Sequence, residues 1–156
     1  MKNLFLFVSL TLISCSKDSP NNKVADNFDT KIDICLVDNS GNYLINNSIY
    51  PFNSVSVKYL VNNSIINPPY QGSQPILSDD SLPKRIRFFL NNDSSEEYPI
   101  TYVYWNTADT DTIKAHFSRG NSNGQNYVVL DKVWYNNKLI NPTDYVNPGY
   151  YIKIIK

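Results

Sequence analysis

From Ser54 to Val61 (SVSVKYLV) the chain alternates two kinds of position without a break. Val55, Val57, Tyr59 and Val61 share one phase, and Ser54, Ser56, Lys58 and Leu60 share the other. Side chains of a β-strand point to opposite faces in turn, so this period of two predicts a strand with one buried face. Asn62-Asn63 follows as a tight turn into Ser64-Ile65-Ile66. Shorter alternating sets recur at Ile32, Ile34 and Leu36, at Ile86, Phe88 and Leu90, and at Ile113, Ala115 and Phe117. Tyr98–Trp105 (YPITYVYW), Tyr127–Tyr135 (YVVLDKVWY) and Tyr150–Ile155 (YYIKII) complete the strand-like runs. Asp38–Asn42 (DNSGN) reads as a turn, Arg119–Gln125 (RGNSNGQ) as a Gly-containing loop, and Pro68–Pro83, with four prolines, as a long irregular connection. After the first fourteen residues no stretch of twelve carries the 3.6-residue apolar period of a helix. Seven or eight short strands separated by turn residues predict an all-β fold, an antiparallel β-sandwich, with a small closed barrel as the alternative.

Composition agrees with that class. The chain has 156 residues, 42% hydrophobic and 13% aromatic, too apolar for a disordered segment. Twelve tyrosines favour strands, and paired asparagines (46-47, 62-63, 91-92, 136-137) favour turns. Fourteen basic residues face fourteen acidic ones. A neutral chain lacks the broad positive field that nucleic acid requires, so nucleic-acid binding is set aside.

The first residues read as an address. Lys2 precedes the apolar run Leu4–Ile13 (LFLFVSLTLI), ten residues that would span about 15 Å as a helix. That is half a bilayer's hydrocarbon core, too short to cross but suited to a signal peptide. Leu12-Ile13-Ser14-Cys15 ends the run and resembles a bacterial lipobox. The resemblance implies cleavage before Cys15 and acylation of that residue, with two or three chains giving stable anchoring. Residues 1–14 are then a lipoprotein signal peptide, 15–28 a flexible polar tether, and 29–156 the folded domain. Cleavage removes Lys2 and leaves 13 basic against 14 acidic residues, a net of −1. With Cys15 acylated, Cys35 is the remaining thiol and no internal disulfide forms.

The start Cys15-Ser16-Lys17-Asp18 is similar to the surface-export signal of Bacteroidetes lipoproteins, although Ser19 stands where a second acid often follows. Together with Asp38–Ile45 (DNSGNYLI), Trp105–Phe117 (WNTADTDTIKAHF) and Lys132–Leu139 (KVWYNNKL), it makes the chain resemble small Bacteroidetes outer-membrane or surface lipoproteins. The resemblance implies a tethered, Ig-like β-sandwich at the outer membrane, on the cell surface or on the periplasmic side. It carries no catalytic motif.

Catalysis requires a positioned acid, base or nucleophile. The one histidine, His116, lies out of phase with Ala115 and Phe117 and faces outward. Cys35 falls opposite the Ile32, Ile34 and Leu36 set and reads as a small strand filler. Asp109 and Asp111 present two carboxylates at a strand start, near enough in sequence to hold a cation, but loop acids usually just solvate a surface, and no metal or cofactor is expected. Aromatic residues are the strongest lead. Tyr98, Tyr102 and Tyr104 share one phase of their strand and Trp105 the other; with the loop residue Tyr70 they form the candidate ligand-binding set. Exposed rings bind sugar faces and anchor protein interfaces.

The expectation is a non-enzymatic, lipid-anchored binding or accessory module with a glycan or outer-membrane protein as ligand. The alternative is a structural component that assembles by edge-strand pairing.

Overall fold

The computed structural model describes residues 26–69, 73–78, 83–140, 145–146 and 151–156. Cys15, the apolar leader, Tyr70 and Asp79-Asp80 lie outside the described residues. Among the described residues there are twelve strands: β1 (Asn27–Asp29), β2 (Lys31–Val37), β3 (Ser56–Val61), β4 (Ser64–Ile66), β5 (Ile76–Ser78), β6 (Arg85–Phe89), β7 (Ile100–Tyr104), β8 (Thr110–Ser122), β9 (Gln125–Tyr135), β10 (Lys138–Ile140), β11 (Tyr145–Val146) and β12 (Tyr151–Ile155). One sheet, here sheet A, runs β1-β9-β8-β7-β3-β4, with β10 also pairing β9; sheet B runs β11-β12-β2-β6-β5. Both sheets stay open, as a sandwich rather than a barrel.

Two features depart from the expected antiparallel arrangement of seven or eight strands. β1 pairs β9 in parallel, and β12 pairs β2 in parallel. Periodicity reports which residues share a face, not which way a neighbour runs, so these pairings leave no trace in the sequence. The additional strands are short. β5 lies inside the Pro-rich connection, and β10 and β11 span three and two residues, too few to show a period. β1 also reaches back into the segment read as tether. The ladder begins at Asn27, and the Asn126 N–H donates to Asp26 Oδ1 at 3.1 Å.

The turns draw on asparagine. Among the described residues every non-glycine residue with positive φ is Asn: 46, 62, 63, 123, 136 and 137. Three hairpins close on two-residue turns with both central residues left-handed: Asn62-Asn63 (49° and 60°), Asn123-Gly124 (53° and 79°) and Asn136-Asn137 (47° and 66°). Such turns match the right-handed twist of the flanking strands, and Asn tolerates the left-handed region better than other residues with a Cβ. The segment read as a loop over 119–125 is therefore the tip of the β8–β9 hairpin. Near that tip the Tyr127 ring lies across Gly120, where a Cβ would come within 2.5 Å of the phenol oxygen. At 38–42, Asp38 Oδ1 accepts from the N–H groups of Ser40 and Asn42, both at 2.8 Å, as the turn expectation requires.

The core fills the space between the sheets. Sheet A supplies Val57, Val103, Trp105, Ile113, Ala115, Phe117 and Val133; sheet B supplies Ile32, Ile34, Leu36, Ile86, Phe88 and Ile152. Trp105 is fully buried and meets Phe88 edge to face at 5.5 Å. Beside it a buried carboxylate ties the sheets together. Asp111 on β8 accepts from Trp105 Nε1 (2.5 Å), the Tyr135 hydroxyl, Asn136 Nδ2 (2.6 Å) and Lys156 Nζ (2.6 Å). Lys156 directly follows β12, and its ammonium also reaches Asp109 Oδ1 at 2.7 Å. Burial raises the Asp111 carboxyl, but the hydrogen bonds from Lys156, Tyr135, Asn136 and Trp105 outweigh it and hold the group below its ordinary value. Burial likewise lowers Lys156, and the two aspartates outweigh that to leave it raised.

Candidate functional site

Alternation that buries Thr101, Val103 and Trp105 turns Ile100, Tyr102 and Tyr104 to the opposite side of β7. The same rule on neighbouring strands assembles an outward face. Cross-strand partners form one continuous row, Leu60–Ile100–Lys114–Trp134–Leu139, with Ile65 beside Leu60. A second row runs Lys58–Tyr102–Thr112, and a third runs Ser56–Tyr104–Thr110. Ile65, Tyr98 and Leu139 are 53%, 42% and 42% exposed. Apolar and aromatic groups thus cross the whole width of sheet A on the side away from the core.

At the middle of this face the rings cluster. Tyr98 meets Trp134 edge to face at 5.5 Å and lies 5.6 Å from the His116 ring. The Lys114 ammonium stands 4.7 Å from the Trp134 centroid and 5.5 Å from that of Tyr98. Lys58 takes a similar position 5.6 Å from the Tyr104 centroid. A ring's electron-rich face attracts a cation, which holds these long side chains against the sheet. His116 Nδ1 pairs with Asp131 Oδ2 at 3.0 Å. That contact depends on a register shift: His116 faces Lys132 while Phe117 faces Leu130, leaving Asp131 as the extra residue of a bulge. The neighbouring Glu97 carboxylate pushes the Tyr98 phenol above its ordinary value.

Tyr98 also lines a recess of about 120 Å³, together with Leu60, Asn62, Asn63, Glu96, Pro99 and Ile100. Its polar rim comes from the Asn62-Asn63 turn and Glu96, all exposed.

The sequence-derived candidates divide. Tyr98, Tyr102 and Tyr104 lie together on the outward face. Trp105 does not: it is fully buried, with its indole N–H committed to Asp111, because the Thr101–Val103–Trp105 phase is the one that meets sheet B. Its place in the candidate set is corrected. Tyr70 lies outside the described residues. Sequence reasoning missed Trp134 and Lys114. Trp134 was visible as the residue out of phase with Val133 and Tyr135, but the Asp131 bulge breaks the alternation of that run and conceals which phase faces the core.

The other chemically capable residues have structural roles. The Asp109–Asp111 pair already encloses a cation, the Lys156 ammonium, at 2.7 and 2.6 Å. Cys35 is buried beside Val37 and Tyr151, and burial pushes its thiol above the ordinary value, away from the reactive thiolate. A cavity of about 340 Å³ opens between the sheets near Tyr59, Val61, Ile66, Phe89 and Asn91. Two of its polar side chains are engaged within the chain. The Tyr59 hydroxyl donates to the Phe89 carbonyl at 2.9 Å, and Asn91 Nδ2 donates to the carbonyls of Leu60 and Ile100 at 2.9 and 3.3 Å. Among the described residues no helix is long and apolar enough to cross a membrane.

Compared with known proteins, the chain matches no family model, no curated protein and no solved structure.

Proposed function

We propose that this protein is a lipid-anchored binding module of a bacterial cell envelope, non-enzymatic, that holds a glycan on the outward face of sheet A. The anchoring half of the reading rests on the lipobox-like Leu12–Cys15, with the outer membrane and cell surface as its location. The binding half rests on one observation: the Tyr98–Trp134 ring cluster, with Lys114 over both rings, stands on a face that the core does not use. Ordinary surfaces scatter their large apolar residues singly, and a contiguous patch with a polar rim marks an interaction site. Exposed rings beside side-chain amides supply what a sugar requires, a flat apolar platform and hydrogen-bonding groups at its edge.

A glycan array probed with the purified full chain tests the binding half. Specific binding that Tyr98→Ala and Trp134→Ala both abolish supports the proposed face. Binding untouched by both substitutions rejects it. Mass spectrometry of the native protein tests the anchor, and an unmodified Cys15 thiol removes it.

The second reading is assembly by strand pairing. It is favoured by β4, an edge strand of sheet A whose three residues, Ser64, Ile65 and Ile66, are all exposed. A Pro at position 65 that leaves a purified assembly intact would reject it.

A further inference from the structure

The charge pattern of the binding face narrows the class of ligand, an inference that rests on the glycan reading above. In a chain with equal numbers of acids and bases, the outward residues of β3, β7 and β8 carry none of the acids. They are Ser56, Lys58 and Leu60 on β3, Ile100, Tyr102 and Tyr104 on β7, and Thr110, Thr112, Lys114 and His116 on β8. Lys58 and Lys114 are held by rings rather than by carboxylates, with no salt bridge to either among the described residues. The nearby acids lie on β9 and in the segment before β7. Asp131 is paired with His116, Glu97 neighbours the Tyr98 phenol, and Glu96 lines the recess.

Tyr98 therefore borders two environments. Lys114 offers a positive charge beside two rings, and Asn62, Asn63 and Glu96 line the recess that Tyr98 shares. An ionised carboxylate such as Glu96 only accepts hydrogen bonds, so the recess fits a ligand rich in hydroxyl donors. The Lys114 ammonium fits an anion. The geometry points to an acidic saccharide: a sugar ring on Tyr98, its hydroxyls toward Asn62, Asn63 and Glu96, and its carboxylate or sulfate on Lys114. An acidic peptide satisfies Lys114 but brings no hydroxyl array for the recess and places further negative charge beside Glu96.

The test uses the full chain and paired probes that differ only in charge. These are oligogalacturonate against its methyl ester, and a sulfated galactan oligosaccharide against its desulfated form. The expected result is that at least one acidic member binds about tenfold or more tightly than its neutral partner, since a hydrogen bond to a charged group is among the strong ones. Lys114→Gln removes that preference, Lys114→Arg keeps it, and the thermal midpoint of both variants stays near wild type. Added salt weakens the acidic probe selectively. Whichever pair shows the preference distinguishes carboxylate from sulfate. Equal binding of charged and neutral partners, or a preference that survives Lys114→Gln, overturns the acidic assignment. The glycan reading survives in that case if Tyr98→Ala and Trp134→Ala still abolish binding. No binding by any of the four probes, with none on the glycan array, overturns both.

Discussion

The two faces of sheet A carry the same residue types to different ends. Each has one of the chain's two tryptophans, tyrosines and a charged side chain near its centre. On the inner face Trp105 is sealed against Phe88, and the charge of Asp111 is met by four donors from its own chain. On the outer face Trp134 and Tyr98 are left at the surface, and Lys114 is held by their rings, with no salt bridge among the described residues. A buried charge costs several kcal/mol unless fully paired, so the inner face had to saturate its own polar groups. Water bears that burden outside. Residues there can stay incompletely partnered, which is the condition for receiving a ligand.

The tryptophans should separate the faces most sharply. Trp105→Ala is expected to cost about 3–5 kcal/mol by denaturant unfolding, because it opens a cavity and takes one donor away from Asp111. Trp134→Ala is expected to cost less than about 2 kcal/mol and to remove saccharide binding. Equal destabilisation by the two would erase the distinction.

Next in size is the clasp. Asp111→Ala leaves the Lys156 ammonium with Asp109 alone and unpairs Tyr135 and Trp105. A loss of about 3 kcal/mol is expected, the lower end for breaking a buried pair, since Lys156 is only partly buried.

The clasp also predicts a pH dependence. Folding holds the Asp111 carboxyl below its ordinary 3.8, so its contribution is present above that value and lost as pH falls through the folded value. Lys156 is raised above its ordinary 10.5, so its contribution is complete below 10.5 and lost as pH rises through the folded value. The stability difference between wild type and Asp111→Asn should therefore shrink below about pH 4. A difference that is constant from pH 7 down to pH 2 would show that the clasp is not ionic.

Smallest in stability is Lys114→Gln, expected to shift unfolding by no more than about 0.5–1 kcal/mol, the worth of an exposed cation–π contact. Its effect belongs to ligand affinity.

How much of this was legible beforehand depended on the range of the interaction. Val55–Val61 and Ile113–Phe117 show their core faces because strand alternation is local, and Asn62-Asn63 shows its turn for the same reason. The parallel pairings of β1 with β9 and of β12 with β2 join residues far apart in the chain, and no local pattern encodes them. The tyrosine phase of β7 was readable as a unit, but choosing between it and Trp105 needed the partner sheet. Trp134 was obscured by one extra residue at Asp131. The Asp109–Asp111 pair looked like a cation site and is one, but the cation is Lys156, forty-five positions after Asp111 in the sequence.

The most direct test uses the two indole N–H signals in a nitrogen-correlated NMR spectrum of the full chain, titrated with the acidic oligosaccharides above. The Trp134 indole and the Lys114 amide should move together and saturate, while the Trp105 indole, bound to Asp111 in the core, stays in place. If instead Trp105 or the residues around Tyr59 and Asn91 respond while Trp134 is unmoved, the ligand lies between the sheets, and the outward face of sheet A is not its site.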